Sequence, residues 1–191
     1  MKRLLIVVDF QKDFVEGFCT PEQADEIDGC IAEKICAYRD NGDKIIFILD
    51  TRETAYLNMQ DSHVRPMPHT LEGIGNGLYG RVAQLRDDID EVYFKASFGS
   101  SDLFVRLMKA QKVAASMGVL PFASIEVAGL SATRCLLSNV VIARTACPEV
   151  PVVVDAHCTA ARDAVSMRKA LDILEELRVD VCTQAVAGAQ G

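Results

Sequence analysis

Six short strand-like runs, most of them rich in β-branched residues, recur along the chain at 4–8, 44–49, 91–94, 124–130, 151–154 and near 180–183. Runs of this length without polar alternation are the pattern of strands buried on both faces. Helical segments separate them. Thr20, Pro21 and Gln23 make a capping box with proline at the first helical position, and Ile27, Ile31, Ile35 and Tyr38 follow at helical spacing up to Asn41-Gly42. Further helices are predicted at 81–85, from a cap at Ser101 to about Met117 before Gly118, at 133–145 and at 164–178. Strand and helix in alternation imply βαβ units with right-handed crossovers, and hence a three-layer α/β/α fold around a mostly parallel sheet.

Residues 51–80 break the alternation. They hold Pro66, Pro68, Gly73, Gly75, Gly77 and Gly80 with His63 and His69, two of the three histidines. Long irregular excursions in compact domains are commonly functional.

With 191 residues, the chain is expected to form one domain over 1–191. A net charge of −7 without a Lys/Arg cluster makes nucleic acid and anionic membrane poor partners, since both are bound chiefly through phosphate neutralisation. A small-molecule partner fits better, and homo-oligomerisation stays open. The apolar run after Lys2-Arg3 stops at Asp9, too early for a signal-peptide core, and no apolar stretch is long enough to span a bilayer, so a cytoplasmic location is expected. The seven cysteines, at 19, 30, 36, 135, 147, 158 and 182, are odd in number and contain no CxxC pair. Neither a disulfide framework nor a zinc ribbon is expected, and most should be reduced and buried. Cys19, in a predicted 16–20 loop, is read as an accessible thiol without a base.

In open parallel sheets, ligands bind beyond the carboxyl ends of the strands. Asp9, Asp50, Lys95 and Asp155 each end a predicted strand, and Cys135 follows the fourth, so five separate segments deliver reactive groups to one edge. The turn Gly129 to Cys135 sets the thiol near a helix N-terminus, where the helix dipole and backbone N–H groups favour a thiolate and a developing oxyanion. Asp9 can take the thiol proton and return it to a leaving amine, with Lys95 holding the anions in place, which is the equipment for acyl transfer. A rival pair, Cys158 beside His157, is weakened because neighbours on an extended chain point to opposite faces.

The segments Leu5-Ile6-Val7-Val8-Asp9-Phe10-Gln11-Lys12-Asp13-Phe14, Tyr93-Phe94-Lys95 before Ser97-Phe98, and Val127-Ala128-Gly129-Leu130 leading to Cys135 stand in this order over nearly the whole chain. In these the chain resembles the isochorismatase-like cysteine hydrolases, the group that includes nicotinamidases. The resemblance implies a six-stranded sheet of order 3-2-1-4-5-6 and a cysteine amidase acting on non-peptide C–N bonds. It implies Asp9 as base and acid, Lys95 as electrostatic partner, and Cys135 as the nucleophile of a thioester intermediate. It further implies a cis Leu130–Ser131 peptide, an oxyanion hole of the Ser131 and Cys135 N–H groups, and a substrate pocket involving Gln11, Phe14, Phe18, Arg52 and Arg134.

Three departures bear on the substrate. The family's Thr-Asp-x-Cys reads Ala132-Thr133-Arg134-Cys135, there is no tryptophan to stack on a pyridine ring, and the metal-binding Asp-x-His reads Asp50-Thr51-Arg52. Asp50 and His69 remain as weak candidate ligands for a zinc-type ion. Because guanidinium has no lone pair, Arg52 disfavours a metal and no cofactor is required. The expected activity is cleavage of a small amide. Nicotinamide hydrolysis and a catalytically silent family member acting as a binding or scaffold subunit are the alternatives.

Overall fold

The computed structural model describes residues 1–51 and 77–183. In chain order the elements are β1 (Leu4–Val8), α1 (Lys12–Phe18), α2 (Pro21–Asp40), β2 (Lys44–Asp50), α3 (Gly80–Leu85), β3 (Glu91–Lys95), α4 (Ser101–Ser116), β4 (Ile125–Leu130), α5 (Leu137–Ala146), β5 (Val152–Asp155), β6 (Thr159–Ala160), α6 (Ala164–Glu176) and β7 (Asp180–Cys182). A π-helical turn, Ala132–Leu136, precedes α5, and a 3₁₀ turn, Ala156–Cys158, follows β5.

The strands form a parallel sheet of order β3-β2-β1-β4-β5-β7, with β6 paired to β4 off that path. The expected six-strand order is therefore present once β7 is read as the sixth strand. The two-residue β6 is an addition that no apolar run announced. All five residues of β1 are fully buried, and they alternate between two cores. Leu4, Ile6 and Val8 pack with residues of α4, α5 and α6, whereas Leu5 and Val7 pack with Phe14 of α1 and Ile27, Ile31 and Ile35 of α2. This period of two, with both faces covered by helices, is why the run carries no polar alternation.

The capping box opens α2 as its sequence predicts: Thr20 Oγ1 accepts from Gln23 N, and Gln23 Oε1 accepts from Thr20 N. Elsewhere local details differ. Helix α1 occupies a stretch whose short length and mixed polarity carry little periodicity. Cys19 is consequently not in an open loop but caps α1, half-buried, and burial raises its thiol pKa. The cap of α4 is Ser100, whose Oγ accepts from Leu103 N at 3.2 Å, and not Ser101. Helix α6 ends at Glu176, two residues before the expected stop.

Two corrections concern the half of the sheet beyond β4. Cys30 of α2 and Cys158 are joined in a disulfide with Cα atoms 5.5 Å apart, so the expectation of predominantly reduced, unlinked cysteines fails for this pair. Their 128-residue separation hides the contact from any local spacing rule. The sheet also forks. β4 pairs with β5 through Ile125↔Val152 and Glu126↔Val153, then with β6 through Gly129↔Thr159 and Leu130↔Ala160. Past the fork β5 runs with β7. No described helix is long and apolar enough to cross a membrane.

Candidate active site

Asp9 follows β1, Asp50 and Lys95 end β2 and β3, and the register pairs Asp50 with Lys95. All three are buried, Asp9 and Asp50 completely. Lys95 Nζ donates to Asp9 Oδ2 at 2.7 Å and to Asp50 Oδ2 at 3.3 Å, and it lies 3.6 Å from Cys135 Sγ. A carboxylate oxygen of Asp9, one of Asp50 and the Cys135 sulfur lie within 4.8 Å of one another. Four chain segments therefore converge at the carboxyl edge of the sheet.

The backbone explains the convergence. Val8 and Gly129 are register partners in the adjacent strands β1 and β4. Asp9 leaves β1 with φ +48°, a left-handed conformation uncommon for a residue with a Cβ, while its N–H donates to Ile48 O at 2.9 Å. Gly129 has φ +111°, and a Cβ there would collide with the Val8 carbonyl oxygen. The Leu130–Ser131 peptide is cis. Ser131 O then accepts from both Arg134 N and Leu136 N, the second an i to i+5 bond. The thiol thus sits in a π-turn ahead of α5, not in the first turn of a regular helix starting at residue 133. Such π-turns recur at functional sites.

Asn139 is a contributor that the sequence reading missed. It is fully buried, and its Nδ2 donates to Cys135 O at 2.7 Å and to Phe98 O at 3.2 Å, while its Oδ1 accepts from Ser100 N at 3.1 Å. It ties the turn bearing Cys135 to the loop that follows Lys95. Its position four residues after Cys135, on the same face of a helix, is the signal that would have found it.

Burial strongly disfavours charge on Asp9. Lys95 opposes this and Asp50 adds to it, and the net result is a pKa above the usual carboxylate value. For Lys95, burial works against the charge, but Asp9, Cys135 and Asp50 outweigh it and hold the pKa above that of an ordinary lysine. Among the described residues, Asp9 Oδ1 and Ser131 Oγ are buried without a hydrogen-bond partner. Orphaned buried polar atoms are rare enough that each requires a reason.

The other expected residues separate into three groups. Gln11 is buried with its amide turned to the main chain of Asp50, donating to Asp50 O at 3.1 Å and accepting from Asp50 N at 2.8 Å, which makes it a brace between β1 and β2. Phe14 packs in the core beneath α2, and half-buried Arg134 has no ion-pair partner among the described residues. Arg52, His63 and His69 lie outside the described residues, as does the side chain of Phe18.

Asp155 does not join the cluster, contrary to expectation. The fork directs the end of β5 away from β4, and Asp155 accepts instead from Lys34 at 2.9 Å and from His157 N at 3.0 Å. The rival pair is excluded as well, because Cys158 is in the disulfide and the His157 ring faces Asp155.

For the metal implied by the resemblance, Asp50 is the one described ligand. Its Oδ2 is engaged by Lys95, and the ammonium already stands among the carboxylates and the sulfur as their cation. The second candidate ligand, His69, lies outside the described residues.

The family model for the isochorismatase domain matches residues 3–186. No curated protein sequence matches the chain significantly. Among solved structures, the chain is similar to a nicotinamidase from Bacillus subtilis, with 22% identity over 96% of this chain and 100% of that one, at TM-score 0.77. It is also similar to a pyrazinamidase/nicotinamidase from Streptococcus mutans (21% identity, 94% and 99% covered, TM-score 0.76). A third is N-carbamoylsarcosine amidase from Thermoplasma acidophilum (16% identity, 98% and 100% covered, TM-score 0.72). At these identities the structural likeness speaks for the fold alone, whereas the family match spans nearly the full length. The chain belongs to the isochorismatase family of hydrolases.

Proposed function

We propose that the protein is a cysteine-dependent amidase that cleaves the C–N bond of a small amide through a thioester. The observation that carries this reading is the buried contact of Asp9, Lys95 and Cys135, in which Asp9 keeps one oxygen without a partner. A carboxylate held on one oxygen by Lys95 and raised in pKa by burial is a better proton acceptor than an ordinary aspartate.

In the reaction, Asp9 takes the proton of the Cys135 thiol as the sulfur attacks the amide carbon. The tetrahedral intermediate collapses, the C–N bond breaks, and the amine leaves with the proton that Asp9 held. Water then attacks the thioester, giving its proton to Asp9, which returns it to the sulfur as the acid departs. Lys95 stays charged throughout and prevents the thiolate and Asp9 from repelling each other. The N–H groups of Ser131 and Cys135 serve the oxyanion, and Ser131 Oγ is a further polar atom for the substrate to satisfy.

Arg134, half-buried beside the nucleophile and without an ion-pair partner among the described residues, favours substrates that carry a carboxylate. Arg52 is the second candidate for that grip. A panel of small amides, with and without a carboxylate and including nicotinamide, tests the reading by ammonia release. Turnover of one of them that is absent in Cys135→Ala is expected. Turnover that survives in that variant refutes the mechanism, and inactivity over the whole panel favours the catalytically silent binding or scaffold subunit.

A further inference from the structure

Away from the Asp9–Lys95–Cys135 cluster, the described residues hold one covalent cross-link. Cys158 is fully buried, but Cys30 is half-buried and forms part of the wall of a surface cavity of about 950 Å³ between α2 and residues 155–167. Asp155, His157 and Arg162 line the same cavity. Cys30 thus borders a space large enough for a small thiol, whereas Cys158 is sealed in the core.

The sealed sulfur is the one that leads to the nucleophile. Cys158 is followed directly by Thr159 and Ala160 of β6, which pair with Gly129 and Leu130 at the end of β4. The Thr159 hydroxyl donates to Gly129 O at 2.6 Å. Ser131 comes next, and its carbonyl anchors the turn that presents Cys135. The bridge therefore fastens the strand bracing the nucleophile turn to the long helix α2.

We propose that Cys30–Cys158 is a thiol-exchange site, open to small thiols and dithiols through this cavity, whose redox state sets the reactivity of Cys135. The inference rests on Cys135 being the nucleophile. In the exchange, the incoming thiolate attacks Cys30 Sγ, the S–S bond breaks and Cys158 leaves as a thiolate that takes up a proton. A second thiol, or the second sulfur of a dithiol, then attacks the mixed disulfide and releases Cys30. Two thiols are oxidised to their disulfide, and the protein bridge is reduced by the same two electrons. Unfastened from α2, β6 holds the end of β4 less firmly, and Cys135 loses its fixed placement against Asp9 and Lys95.

The experiment compares the full chain as purified without reductant with the same protein treated with dithiothreitol and desalted anaerobically. Alkylation after denaturation, read by peptide mass, should find Cys19, Cys36, Cys135, Cys147 and Cys182 reactive in the first sample and all seven cysteines in the second. Iodoacetamide labelling of the native protein at neutral pH should modify Cys135 several-fold more slowly after reduction, and reoxidation should restore the rate. Cys30→Ser should show the slow rate and ignore dithiothreitol; if that variant does not fold, the reduced native chain carries the test. Absence of the Cys30–Cys158 linkage, or a rapidly labelled Cys135 that is indifferent to reductant, overturns this inference alone. A Cys135 no more reactive than the other thiols in either state overturns both it and the nucleophile reading.

Discussion

Lys95 carries one positive charge between two fully buried carboxylates. Removing one partner of a buried ion pair leaves an uncompensated charge, so Lys95→Met is expected to destabilise the fold by roughly 3–5 kcal/mol as well as abolish turnover. Urea denaturation and the amide panel measure the two effects. The pH profile follows from Asp9. It must be ionised to take the thiol proton, and its pKa lies above the ordinary 3.8, so the acid limb of kcat/KM should have its midpoint above that value. A midpoint at or below 3.8 would exclude Asp9 as the base. Asn139→Ala leaves the Cys135 and Phe98 carbonyls and the Ser100 N–H without this partner, which should lower stability by roughly 1–3 kcal/mol. A displaced nucleophile should lose kcat on the order of tenfold to a hundredfold with KM nearly unchanged. At this scale, residues at strand ends were legible because a break from apolar to charged marks the edge of a parallel sheet. Asn139 was legible only through its spacing of four residues from Cys135, which puts the two on one helix face but does not reveal the carbonyls and N–H that it binds. Asp155 had the same sequence signature as Asp9 and was misplaced because the signature says nothing about which way a strand turns.

The element that decides the site is the end of β4. Gly129 must sit at φ +111° with no side chain, because the Val8 carbonyl oxygen occupies the space that a Cβ would need. Gly129→Ala is expected to cost at least about 3 kcal/mol, through strain and forced separation of β1 from β4. Equilibrium unfolding against the native chain checks it, and a change under about 1 kcal/mol would mean that the two strands yield easily. The long helices and buried strands were readable from periodicity, because each buries a continuous stripe or run. Helix α1, with seven residues, and β6, with two, were not. Elements this short are held by tertiary contacts, such as the Gln11 amide on the Asp50 main chain and the Thr159 hydroxyl on Gly129, and leave no repeating pattern in the sequence.

For the molecule as a whole, the absence of a metal requirement is the broadest prediction. With the Lys95 ammonium as the cation of the buried cluster, dialysis against a strong chelator should leave activity unchanged, and elemental analysis should find no near-stoichiometric zinc, iron or manganese. Activity lost to chelator and rescued by one of these metals would show that other residues build a site. The layer architecture was visible from alternation alone, whereas the forked sheet and its cross-link depend on contacts between residues far apart in sequence. The fork gives β4 two different supports along its length. Its start is held by β5 through two register pairs and its end by β6, while the strand ends bearing Asp9, Asp50 and Lys95 are held by the uninterrupted ladder of β1, β2 and β3. A change in the length of β5 can therefore leave the support of the nucleophile turn in place.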